Sequence, residues 1–163
     1  MLYKIARLKN HFVICYHNEY TIEVSKQLLR SHIPFVVIDP SSDLEKWAHE
    51  YKYPYFITGE PHTELAMLKA HLSSAKGLIA LSHSIADNIT LIASVRLFEK
   101  EHEIPVAYNV ISSAYNTSDM EKLKKLGANT VVTPTKLTAQ RVTAMAAHPE
   151  MENLLEEFMY RSD

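Results

Sequence analysis

A chain of 163 residues that is 47% hydrophobic is long enough for one domain with a sizeable core. Its formal charge of -2 and its pI near 6.5 leave no electrostatic footprint for nucleic acid or for an anionic membrane surface, so neither is expected as a partner. No apolar run approaches the ~20 residues of a membrane span and the start lacks the apolar core of a signal peptide, so the chain is expected to be cytoplasmic.

The start, MLYKIARLKN, is basic, with Lys4, Arg7 and Lys9 and no acidic residue before Glu19. That charge suits a solvated tail or a segment just inside a membrane. Apolar runs then alternate with helix-period segments, the pattern of a parallel sheet wrapped by helices. His11 to Tyr16 reads as the first strand, a near-continuous apolar run of the kind buried on both faces. The lone cysteine, Cys15, lies inside it, as a buried thiol would, and no disulfide within the chain is possible. Glu19 to Arg30 reads as a helix packing through Tyr20, Val24 and Leu28, and Pro34 to Asp39 as the second strand. Pro40-Ser41-Ser42 opens a helix with Leu44, Trp47, Ala48 and Tyr51 at i, i+3, i+4 and i+7, capped by Ser41 or Ser42. Tyr53 to Ile57 is the third strand, ending in Thr58-Gly59-Glu60, and the next helix is expected to bury Leu65, Leu68 and Leu72. Gly77 to Leu81 is the fourth strand.

The helix from about Ile85 to Lys100 differs from the others. At 100° steps, Ile85, Ile89, Ile92, Ala93 and Leu97 fall on one side and Leu91, Val95 and Phe98 on another, with a narrow polar strip at Thr90 and Ser94. A helix apolar nearly all round must bury a second face, and a partner subunit is the expected cover. Pro105 to Ile111 reads as the fifth strand, Ser118 to Leu126 as a helix ended by Gly127, Asn129 to Thr133 as a sixth strand, and Thr135 to Ala147 as a helix. After His148-Pro149, Met151, Leu154, Leu155, Phe158 and Met159 form another apolar stripe, expected to pack outside the core. The expectation is therefore an α/β Rossmann-like doubly wound six-stranded parallel sheet over residues 1–147, with a C-terminal amphipathic crossover helix over 148–163 completing a helix-turn-helix extension.

Strand, tight turn, helix and a second strand ending in Asp39 form the first half of a nucleotide-binding unit. A dinucleotide fingerprint needs glycines in the turn, and the three positions hold Tyr16, Asn18 and Thr21 instead. In an open α/β sheet, ligands sit at the carboxyl ends of the strands. Those ends supply His17, Asp39, Glu60 and His83, with Ser41, Thr58, Gly59 and Ser82 nearby. Two imidazoles and two carboxylates could hold a borderline divalent cation or sense protons; solvated loop tips and nucleotide contacts are the other readings. His49, His62, His71 and His102 lack metal-ligand spacing and are expected at the surface. No catalytic motif is present, so the chain is not expected to be an enzyme.

LKNHFVIC, IPFVVID, TGE after the third strand, ADN opening the fourth long helix, and EKLKKLGANTVVTP together resemble the N-terminal subdomain of the regulator of potassium conductance (RCK) family, over Leu8 to Met145. That family forms the cytosolic gating rings of prokaryotic potassium channels and the regulatory subunits of Trk-type transporters. The resemblance implies dimerisation through the helices after the fourth and fifth strands, a terminal helix crossing to a neighbour, and gating through dimer or ring rearrangement at the inner face of the membrane. It implies a nucleotide ligand, NAD or an adenine nucleotide, with Asp39 on a ribose hydroxyl, or else a divalent cation. The calcium-gated members' carboxylates after the fourth strand and along the fifth are absent at Leu81-Ser82-His83 and Tyr108-Asn109-Val110-Ile111. The alternatives are a nucleotide-dependent oxidoreductase with an atypical cofactor loop and an assembly module without ligand.

Overall fold

The first long apolar run becomes the centre of the sheet, because only a strand flanked on both edges and both faces can hide such a run completely. In the computed structural model, which describes residues 1–148, β1 (Phe12–Cys15) pairs in parallel with β2 (Phe35–Asp39) on one side and β4 (Gly77–Ala80) on the other. β3 (Phe56–Thr58), β5 (Asn109–Ser113) and β6 (Thr130–Val132) extend the sheet. The six strands are all parallel in the order β3-β2-β1-β4-β5-β6. Chain direction across the sheet reverses between β1 and β4, which opens a crevice at their carboxyl ends.

One face is covered by α2 (Glu19–Arg30) and α3 (Leu44–Tyr51), which pack Tyr20, Val24, Leu28, Trp47 and Tyr51 over Ile14, Phe35, Val37 and Ile79. The other carries α4 (Glu64–Lys69), α5 (Ile85–Glu101) and α6 (Thr117–Leu126), whose Ala66, Met67, Leu91, Ile92, Val95, Phe98 and Leu123 meet Val13, Val36, Ile38, Leu78 and Val110. Gly77 lets β4 and β5 approach: a Cβ there would stand 2.2 Å from the Asn109 carbonyl oxygen. Gly127 ends α6 at φ 125°, where a side chain would be strained.

Several local expectations are corrected. The start is not a solvated tail: α1 (Leu2–Ile5) inserts a fully buried Ile5 into the core, with Leu8 packed beside it. The β5 strand begins four residues late, at Asn109; Pro105 has no N–H to donate to a ladder, and Val106 is exposed. Neither Ser41 nor Ser42 caps α3; Asp43 holds that position without a side-chain cap bond, and the Ser41 hydroxyl accepts from the Asp43 N–H one step earlier. α4 is turned from its expected phase: Leu65 and Leu68 are exposed, Ala66 and Met67 are buried, and Leu72 reaches the core from a separate 3-10 turn, Leu72–Ser74.

α5 directs Leu91, Ile92, Val95 and Phe98 inward. Ala93 is exposed, Ile89 is half-buried, and Leu97 is 54% exposed, so a second apolar face stands open on the single chain. α7 (Pro134–Ala147) leaves the body with no buried residue, and Leu137, Val142 and Met145 face solvent. The stripe from Met151 to Met159 lies outside the described residues.

Candidate functional site

The turn after β1 keeps the shape that glycine would give it. Tyr16 adopts φ 70°, the left-handed conformation that the first fingerprint glycine exists to supply, at some cost for a residue with a Cβ. Asn18 then caps α2: its Oδ1 accepts from the Tyr20 N–H at 2.9 Å and the Thr21 N–H at 3.1 Å. Thr21 completes a capping box, accepting from the Asn18 N–H at 2.7 Å and donating back to the Asn18 carbonyl. These amides are the donors with which a helix start of this kind receives phosphate. Here the chain's own side chains occupy them.

Asp39 is similarly committed. It is only 6% exposed, and its two oxygens accept the His17 N–H at 2.7 Å and the Ser41 N–H at 2.8 Å, fixing the β1 turn against the end of β2. The Asp39 carbonyl accepts from the Gly59 N–H at 3.0 Å, so the three strand ends are tied together. Glu60 accepts through its carbonyl from the Thr63 hydroxyl, and its carboxylate lies 4.0 Å from His62. Thr58 is exposed at the sheet edge.

His17 turns away from the crevice. Its ring stacks on Trp47 at 4.3 Å and 13°, near Tyr51, and its Nδ1 lies 2.8 Å from the Tyr53 hydroxyl. Burial lowers its pKa, opposed by Asp39 and Glu50, and burial raises the Tyr53 phenol to about 12. His83 points the other way: its Nε2 lies 2.7 Å from Glu19, its Nδ1 contacts the Tyr115 hydroxyl, and Tyr20 tilts against the ring at 5.0 Å. The hydrogen bond to His83 holds the Glu19 carboxyl below its ordinary value.

Two links therefore bridge the switch point between β1 and β4: Asn18 Nδ2 donates to the Leu81 carbonyl at 2.8 Å, and Glu19 meets His83. Beneath them, buried Asn88 accepts from the Ser82 N–H and donates to the Ser82 and Ser113 carbonyls. The Ser82 hydroxyl donates to Asp87 at 3.2 Å. Tyr16 spans the same region, and its phenol pKa is raised first by burial and then by Asp87, Cys15, Glu60 and Asp39.

The four candidate metal ligands do not converge. His17 and Asp39 face the α3 side, His83 pairs across the switch point, and Glu60 stands with His62. Among the described residues, the one group of three potential ligands with atoms within 4.8 Å of one another is Glu64, Glu101 and His102, all exposed. His71 is half-buried, its Nδ1 bonding the Leu8 carbonyl. Trp47, Tyr53, Asp87, Asn88 and Tyr115 belong to the site and were not among the expected residues. Asp87 and Asn88 carried a signal, as part of the ADN that opens α5, and Trp47 reads only as part of the apolar stripe of α3. A shallow hollow of about 550 Å³ lined by Glu45, Ala48, His49, Lys52, Tyr53 and Phe56 lies at the start of β3, away from these strand ends.

The sequence profile of the TrkA-N domain matches residues 12–134. A probable potassium channel protein 2 of Methanocaldococcus jannaschii is 32% identical over 96% of this chain, which spans 44% of that relative's length. The solved TrkA-N domain of the inner membrane protein ybaL from Escherichia coli superposes with a TM-score of 0.73 at 24% identity, covering 85% of this chain and 98% of that one. The structure of GsuK bound to ADP gives 0.71 at 22% identity, covering 89% and 36%. No helix among the described residues is long and apolar enough to cross a membrane.

Proposed function

This chain belongs to the TrkA-N domain family, and from that premise we propose that it is a cytoplasmic regulatory domain that gates a potassium channel or transporter through rearrangement of a homodimer or larger ring. The observation that carries the proposal is α5, which serves the core with Leu91, Ile92, Val95 and Phe98 and presents Ala93 and Leu97 outward. A surface of this kind is suited to a second copy. The helix starts beside the crevice, at Ser84, His83 and Asn88, so a change at the strand ends reaches the subunit contact through one rigid element. Such coupling requires a ligand that prefers one arrangement of the two subunits.

The filled cradle at Asn18 and Thr21 shapes the ligand part of this reading. A dinucleotide would have to displace the α2 cap, which disfavours NAD in its usual pose. For the same reason no hydride cofactor is well served, and we infer no turnover. Sedimentation velocity over a concentration series tests the assembly: the native chain associates, and Leu97→Asp shifts it to a folded monomer whose Tm no longer depends on concentration. A strictly monomeric native chain at high concentration refutes the proposal. The filled cradle also favours a second reading, an assembly module without ligand. Thermal unfolding against NAD(H), adenine nucleotides and divalent cations separates the two, because a ligand of the folded state raises Tm.

A further inference from the structure

We propose that His11 and His71 form a clamp that holds the N-terminal segment to the domain at neutral pH and releases it on acidification. The segment is tied down at the amino end of the sheet, opposite the ligand crevice. Ile5 is fully buried, His71 Nδ1 lies 3.0 Å from the Leu8 carbonyl, and the Asn10 N–H donates to the Ser74 carbonyl at 2.9 Å. A carbonyl can only accept, so His71 carries its proton on Nδ1 and its Nε2 is left to accept from the Ser74 hydroxyl at 3.4 Å.

Behind this contact lies His11, fully buried. Its Nε2 donates to the Ala70 carbonyl at 2.9 Å, which leaves Nδ1 as the bare ring nitrogen, and that atom has no partner. The two imidazoles stack at 6.2 Å and 14°. A proton added to His11 Nδ1 would find no acceptor, and the resulting cation would face His71. The other charged side chains next to the residues that meet His11 are Lys9, Lys69 and Lys76, all exposed cations, and Glu64 of α4 is engaged with His102. Among the described residues, no carboxylate acts on His11. Burial, the largest cause, and His71 both lower its pKa, against the bond to Ala70. The segment leads directly into His11, so lifting it is the smallest motion that gives the ring access to water. The folded pKa is depressed, so the clamp is fully closed above the ordinary histidine value and weakens as pH falls below it.

Amide hydrogen exchange of the full chain at pH 7.5 and 5.5, expressed as protection factors, tests this. The Leu8 and Asn10 amides, bonded to the Ile5 and Ser74 carbonyls, lose up to about tenfold protection per pH unit below ~6.5, while the β1 and β2 amides hold theirs. In His11→Gln, whose amide nitrogen keeps the bond to Ala70 without titrating, that loss disappears. His71→Asn, which keeps a donor toward Leu8 and suits the φ of 54° at that position, retains the clamp with a smaller pH response. Flat protection at Leu8 and Asn10 in the native chain, equal loss in the central strands, or an unchanged loss in His11→Gln each overturns the proposal.

Discussion

Asn88 offers the sharpest test of how the crevice is held. It is 1% exposed, and its amide makes three bonds, from the Ser82 N–H at 3.1 Å and to the Ser82 and Ser113 carbonyls at 3.0 and 3.2 Å. Asn88→Ala removes all three and leaves one donor and two acceptors inside the protein. At about 1 kcal/mol per bond, the cost is roughly 3 kcal/mol, or a fall in Tm of about 6 to 12 °C for a chain of this size. Asn88→Asp separates geometry from charge. It keeps an acceptor for Ser82 N–H but turns an anionic oxygen toward two carbonyls, only one of which the single O–H of its protonated form can serve. Its folded pKa is therefore raised, so its deficit is smallest at acid pH, where one bond is lost, and grows as pH rises through that pKa. Chemical denaturation of both variants at pH 5 and pH 8 is the assay, with the exposed Thr90→Ala as control. A loss under 1 kcal/mol in Asn88→Ala, or a deficit in Asn88→Asp that does not grow with pH, refutes the assigned role.

Four further outcomes follow from particular contacts. Asn18→Ala removes the cap of α2 and the link to Leu81 and lowers stability by about 1 to 2 kcal/mol in thermal denaturation. Leu65→Ala costs under ~0.5 kcal/mol and Met67→Ala about 2 to 5, because only the second leaves a cavity, and the pair checks the phase of α4. Cys15 is fully buried and burial raises its pKa, so the folded chain resists a thiol reagent at pH 8 that labels it fully in denaturant. Arg96→Met removes guanidinium bonds to the Gly127 and Tyr108 carbonyls and the contact with Glu99, and lowers Tm by several degrees with little change at the crevice.

The parts of the fold that were legible in the sequence are those where burial leaves no choice. β1, β2 and β4 are buried on both faces and read as unbroken apolar runs; the α2 and α3 stripes read cleanly because each covers one face of the sheet. The misreadings have local causes. Pro105 and Val106 have a strand's composition but lie before the ladder. Between Thr63 and Ala75 the leucines compete with Ala66 and Met67 for the core, and a six-residue helix is too short for its period to decide. The basic start concealed a buried Ile5, because one apolar residue among cations carries no periodicity at all.

The site divides along a different line. Topology places the strand ends, so His17, Asp39, Glu60 and His83 could be named from order alone, but topology does not aim side chains. Partners decide that: Trp47 and Tyr53 draw His17 toward α3, and Glu19 and Tyr115 draw His83 across the switch point, all through contacts 30 or more residues apart. The missing glycines show why. Their absence reads as a lost phosphate cradle, yet the left-handed turn survives at Tyr16 and the helix start is fully bonded by Asn18 and Thr21. Glycine leaves those amides open to a ligand, and residues that satisfy them internally keep the same backbone while closing it. The turn thus retains the architecture of a ligand site with its donors turned inward, and any signal received at these strand ends has to work against the Asn18 and Glu19 links before it reaches α5.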